Sequence, residues 1–131
     1  MLDTSVLVAL FRGEQSPAVQ RLERLEQDGT PLHIPTVCVQ ELLQGARSKR
    51  EWAQLHDNLT TQRILSPVDP LATHVEAARI YYDCRRQGIT TRGPVDCLIA
   101  QLTLERDAFL LHDDADFERI KEVRPLRTLS G

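Results

Sequence analysis

At 131 residues the chain has room for one domain with a real core, and its 41% hydrophobic and 27% charged residues are ordinary for a soluble globular protein. No apolar run approaches the about 18 residues that a membrane span requires. Sixteen Lys and Arg against nineteen Asp and Glu leave a net charge of −3, so there is no bulk basic field for non-specific nucleic-acid binding.

Taken in chain order, Met1-Leu2 is a short apolar run that stops at Asp3, with no basic region before it, so the start does not read as a signal peptide. Ser5 to Arg12 reads as a short helix. Residues 16–27 carry Val19, Leu22 and Leu25 at helical spacing, and Asp28-Gly29 is a turn signal. Leu32 to Pro35 is a compact strand, after which Thr36 is expected to cap a helix reaching about Ala46. A polar helix over 49–59 and a strand over 63–65 follow. Asp69-Pro70 starts another helix, on which Leu71, Val75, Ala78 and Tyr82 are expected to form the buried stripe.

Gly93-Pro94 opens the next helix, with Val95, Leu98, Ile99 and Leu102 expected inward. Phe109 to Leu111 reads as a buried strand, residues 113–116 as a turn into a short helix through Ile120, and 126–129 as a last short strand. Strands separated by helices predict a single α/β domain, residues 1–131, with a mainly parallel central sheet. In such sheets, sites form where strands end and helices begin. The three cysteines, Cys38, Cys84 and Cys97, lack C-x-x-C spacing and read as reduced thiols of a cytoplasmic protein. The four histidines form no H-x-x-x-H pair, which argues against zinc.

Acids sit at those strand ends, and each has a plainer reading. Asp3 is well placed to cap a helix, although Thr4 or Ser5 can cap in its stead. Glu41 lies one turn into its helix, beside the apolar stripe, where its stem can pack while its carboxylate reaches water. Asp96 is the third residue of its helix, a position that the helix dipole favours for an acid. Asp113, Asp114 and Asp116 are different. Three carboxylates in four positions repel one another, and a cap needs only one of them, so the cluster asks for a cation.

Four segments in this order, Asp3-Thr4-Ser5, Val39-Gln40-Glu41-Leu42, residues 94–100 (PVDCLIA) and residues 110–117 (LLHDDADF), resemble the PIN-domain nucleases across essentially the whole chain. Among these, the compact size and the D-T-S, E-L and D-x-L-I-A elements look most like the VapC-type toxins of bacterial toxin–antitoxin pairs. The resemblance implies a three-layer α/β/α sandwich with the acids at one edge of the sheet, gathered in one pocket. It assigns catalysis and metal binding to Asp3, Glu41, Asp96 and Asp114, with Asp116 as an auxiliary ligand and Ser5 as support for Asp3. Two departures stand out: His112 replaces the usual Thr or Ser, and the first strand is short because Asp3 follows only Met1-Leu2.

Carboxylates suit hard cations, so Mg²⁺ is the expected cofactor, with Mn²⁺ as a substitute. The resemblance further implies RNA as substrate, in-line hydrolysis leaving a 5′-phosphate and a 3′-hydroxyl, a homodimer, and a cognate antitoxin. Arg92 and then Arg12 are the candidates for contacting RNA, for which arginine's fork geometry is suited. A non-toxin PIN nuclease and a catalytically silent RNA-binding PIN module are the alternatives. A haloacid-dehalogenase-like phosphatase needs D-x-D where this chain has Asp3-Thr4-Ser5. A receiver domain needs a strand-end phosphoacceptor that Asp57, in a helical pattern, does not supply.

Overall fold

The computed structural model describes residues 1–129. Among these, the elements in chain order are α1 (Thr4–Phe11), α2 (Pro17–Gln27), β1 (Ile34–Pro35), α3 (Thr36–Gln44), α4 (Lys49–Leu59), β2 (Ile64–Leu65), α5 (Pro70–Arg86), α6 (Pro94–Glu105), β3 (Leu110–Leu111), α7 (Ala115–Ile120) and β4 (Thr128–Leu129). They fall into two compact units. The first comprises Met1–Ser66 and Leu111–Asp113, the second Pro67–Leu110 and Asp114–Leu129.

The first unit is built on a parallel ladder. β1 pairs with β2, Ile34 opposite Ile64 and Pro35 opposite Leu65. Leu2 donates its N–H to the His33 carbonyl at 2.9 Å and makes a parallel bridge to Leu111. The Leu111 N–H returns to the Met1 carbonyl at 2.9 Å, and the Asp3 N–H to the Leu111 carbonyl at 3.1 Å. The first strand is thus a single bridge, because the chain turns into α1 at Asp3. Asp3, Thr36 and His112 each directly follow a segment of this ladder, so the unit's strand ends are where helices and loops take over.

The core of this unit is filled from the faces of α1 to α4. Val6, Leu7, Val19, Leu22, Cys38, Leu42, Leu55 and Leu59 are all buried. Ser16 caps α2 by accepting the Val19 N–H, with Pro17 at the first helical position, and Ser48 caps α4 through the Glu51 N–H. The expected cap of α3 is not used. Pro35 occupies the cap position and Thr36 is already helical; its hydroxyl is engaged by the Leu65 carbonyl at 3.1 Å and by Ser66 Oγ at 2.6 Å. A threonine adjoining a parallel neighbour finds a better partner across the ladder than along its own chain.

In the second unit α5 packs along α6. Asp69 caps α5 through the Ala72 N–H at 3.1 Å, as its position before Pro70 predicts. The inward face of α5, however, is Thr73, Ala77, Ile80 and Cys84; Leu71, Val75, Ala78 and Tyr82 are exposed. The two stripes differ by two residues, a rotation of roughly 200° about the helix axis. The smaller face wins because Ala77 and Cys84 permit close approach, and Thr73 satisfies its hydroxyl by donating to the Glu105 carboxylate at the end of α6.

On α6, Ile99 and Leu102 are buried as expected, together with Cys97, Ala100 and Thr103, while Val95 and Leu98 are half-buried. β3 pairs with β4, the Leu110 N–H donating to the Arg127 carbonyl at 2.9 Å. The strand begins at Leu110 and not at Phe109, whose half-exposed ring lies under the Arg127 guanidinium, 4.5 Å from the ring centroid. No helix among the described residues is long and apolar enough to cross a membrane.

Candidate metal centre

Each unit presents its own set of acids. In the first, Asp3 ends the Leu2 bridge and caps α1, its Oδ2 accepting the Ser5 N–H at 3.1 Å and the Ser5 hydroxyl at 2.5 Å. The same Ser5 Oγ accepts the Asp113 N–H at 3.0 Å, linking the strand end at Leu111 to the first acid. Asp3 is buried, at 4% exposure.

Glu41 stands on α3 with its carboxylate exposed, and Thr4 donates to its Oε1 at 2.6 Å. Glu41 also lines a groove of about 650 Å³ with Arg12, Arg47 and the apolar side chains of Val8, Phe11 and Leu55. Arg12 therefore sits in the same groove as Glu41. Beneath them Cys38 is buried, its thiol donating to the Leu2 carbonyl at 3.9 Å. Burial, reinforced by Asp3 and Glu41, pushes that thiol up to about 12, so it stays protonated.

In the second unit Asp96 comes from the first turn of α6, and Asp114 and Asp116 from the start of α7. One carboxylate oxygen from each lies within 4.8 Å of the others. Asp114 is the N-cap of α7, accepting the Asp116 N–H at 2.9 Å. Asp116 is almost wholly buried, yet its carboxylate is fully engaged: Oδ2 accepts the Arg92 backbone N–H at 3.0 Å, and Oδ1 pairs with the Arg119 guanidinium. Burial alone raises the pKa of such a group. The Arg92 amide, hydrogen bonding with Asp96, and the Arg92 and Arg119 charges together outweigh burial and hold Asp116 below the usual carboxylate range.

Arg92 is drawn to these acids. Its Nη2 donates to Asp114 Oδ1 at 3.0 Å, and its Nε lies 3.5 Å from Asp116 Oδ2. The charge of Asp114, then the hydrogen bond to it, raise the Arg92 pKa further, so the guanidinium is always charged. Arg119 has no counterpart in the sequence reading. Its signal was the i, i+3 spacing from Asp116 on α7, which places the two on one face of a helix.

Three converging carboxylates suit a divalent cation. They offer only oxygen atoms, which Mg²⁺ and Mn²⁺ prefer, and their like charges are costly to hold together without positive charge. Arg92 and Arg119 already provide part of that compensation. Both oxygens of Asp116 serve arginines and a backbone amide. His112 is buried, and Asp113, although exposed, contributes its amide to Ser5.

Comparison with known proteins bears on what such a centre serves. Residues 1–123 match the sequence profile of the PIN domain. The chain is 33% identical over 138 residues to Ribonuclease VapC11 of Mycobacterium tuberculosis, an alignment that covers 99% of this chain and 97% of that protein. A VapC ribonuclease of Mycobacterium bovis matches to the same extent. Among solved structures, a chain of DNA-bound VapBC from Salmonella typhimurium superposes with a TM-score of 0.79 at 21% identity, covering 99% of this chain and 96% of that one. A chain of VapBC2 from Rickettsia felis, bound to a DNA fragment from their promoter, gives 0.78 at 18% identity with the same coverage. At these identities the two structures speak for the fold.

Proposed function

This chain belongs to the PIN-domain family, and from that premise we propose that it is a divalent-metal-dependent endoribonuclease acting as the toxin of a toxin–antitoxin pair. The observation that carries the reading is the approach of Asp96, Asp114 and Asp116 to within 4.8 Å, although some twenty residues of chain separate the first from the others. End-to-end similarity to proteins named ribonucleases supports RNA as the substrate. Residues 1–131 are taken as one PIN domain.

The motif order assigns Asp3, Glu41, Asp96 and Asp114 to catalysis, Asp3 and Asp96 as principal metal ligands and Glu41 and Asp114 in support. Asp116 is assigned as an auxiliary metal ligand, and it also pairs with Arg92 and Arg119. These carboxylates would hold Mg²⁺ or Mn²⁺, which would supply polarisation of the phosphate and a lowered pKa for an attacking water. The residues of the chain then have distinct tasks. Ser5 fixes the rotamer of Asp3, Thr4 steadies Glu41, and the α7 cap orients Asp114. Arg92 and Arg12 are assigned to contacts with RNA phosphates.

The VapBC neighbours support a protein partner, so the reading includes a cognate antitoxin, together with a homodimer of this chain. Expression of the chain in a bacterium without that antitoxin tests the proposal. Growth should arrest, and sequencing of RNA ends should reveal new discrete termini, both absent for Asp96→Asn expressed to the same level. Normal growth with unchanged RNA ends would contradict it.

A further inference from the structure

The acid cluster already holds a cation, and that cation belongs to the chain. Arg92 reaches Asp114 Oδ1 at 3.0 Å and Asp116 Oδ2 at 3.5 Å, two of the three acids whose oxygens lie within 4.8 Å of one another. Its backbone and side chain are held very differently. The backbone is pinned, its N–H donating to buried Asp116 just before Gly93 and Pro94 open α6. The side chain is 78% exposed, an arm extended through solvent to the carboxylates.

Its partners are built to survive its departure. Asp116 keeps Arg119 on Oδ1 and the Arg92 amide on Oδ2. Asp114 keeps the Asp116 N–H that makes it the cap of α7. An ion pair with so exposed a guanidinium is screened by water and costs little to break. A divalent cation at the same oxygens brings twice the charge, and it repels the guanidinium at close range.

We propose that Arg92 occupies the acid cluster as a tethered cation and is displaced from Asp114 when a divalent metal ion binds. The inference rests on the reading above that this cluster binds Mg²⁺ or Mn²⁺. Displacement leaves the backbone anchor in place and frees the guanidinium for the phosphate contact assigned to it.

Mn²⁺ binding to the full chain, measured by titration calorimetry, tests this without any assay of cleavage. Arg92→Gln keeps the amide to Asp116 and removes the competing charge, so it should bind Mn²⁺ about three- to tenfold more tightly than the unmodified protein. Asp96→Asn should bind far more weakly than either. Equal or weaker affinity in Arg92→Gln, with binding still lost in Asp96→Asn, would overturn the inference and leave the metal reading standing. No binding to any of the three would overturn both.

A second measurement needs no variant. The Arg92 Nε–Hε resonance of the unmodified protein should shift on addition of Mg²⁺ and saturate together with the Asp96 amide. An Arg92 signal that stays still while the Asp96 amide shifts would overturn the inference.

Discussion

The Ser5 hydroxyl donates to Asp3 Oδ2 at 2.5 Å while accepting the Asp113 N–H at 3.0 Å, so one small side chain ties the first acid to the loop that follows Leu111. Ser5→Ala removes both contacts and leaves a buried carboxylate short of a donor. The expected cost is about 1–2 kcal/mol of stability, read as a lower denaturant midpoint with an unchanged slope. RNA cleavage should fall as well, because Asp3 loses the contact that fixes its rotamer. A midpoint equal to that of the unmodified protein would remove Ser5 from the account.

Asp116 makes stability depend on pH in a defined direction. Its carboxyl is held below its ordinary range in the folded chain, so it contributes stability above the unfolded value of about 3.9. That contribution disappears as pH falls through the depressed folded value. Asp116→Asn should therefore be less stable by about 1–3 kcal/mol at pH 7, with the gap closing under acid conditions. Thermal melts of both proteins from pH 7 to pH 2.5 measure it; a gap that is constant with pH contradicts the pairing with Arg119 and Arg92.

The two faces of α5 differ in what they contribute. Leu71, at 76% exposure, should tolerate Leu71→Ser within about 0.5 kcal/mol. Ile80, with no exposed surface, should lose about 2–5 kcal/mol on Ile80→Ala, from lost burial and the cavity left behind. Chemical denaturation of the two variants decides which stripe faces the core.

Cys38 and Cys97 should resist alkylation in the folded chain. Burial pushes their thiols up to about 12 and about 11, so almost no thiolate exists at pH 8. Mass spectrometry after iodoacetamide treatment should find both unmodified in native buffer and both modified in denaturant. Modification at equal rates in the two conditions would contradict their burial.

Most element positions were legible because local signals agreed with tertiary demands. Ser16-Pro17 and Asp69-Pro70 mark helix starts wherever the rest of the chain lies. The face of α5 was not legible, because two stripes recur at the same period and only packing against α6 selects between them. The Thr4–Glu41 hydrogen bond joins residues 37 apart in sequence, so it exists only once α1 and α3 meet. Of the acids, the cluster at 113–116 pointed to a cation by its charge density alone. The amide of Asp113 goes to Ser5, while Asp96 approaches Asp114 and Asp116, three acids that the resemblance to PIN nucleases already named. The acids are visible in the sequence, and the arginines that answer them only in part: Arg92 stands just before the Asp96 helix, whereas Arg119 is marked only by its i, i+3 spacing from Asp116.

The proposed activity is metal-dependent cleavage of RNA at these carboxylates. Its most direct test is incubation of purified chain with a labelled RNA, with Mg²⁺ or with EDTA, beside Asp96→Asn of verified fold. Internal cuts should appear with Mg²⁺, vanish with EDTA, and fall at least about 100-fold in Asp96→Asn. Cleavage that persists in EDTA, or at full rate in Asp96→Asn, would contradict the account.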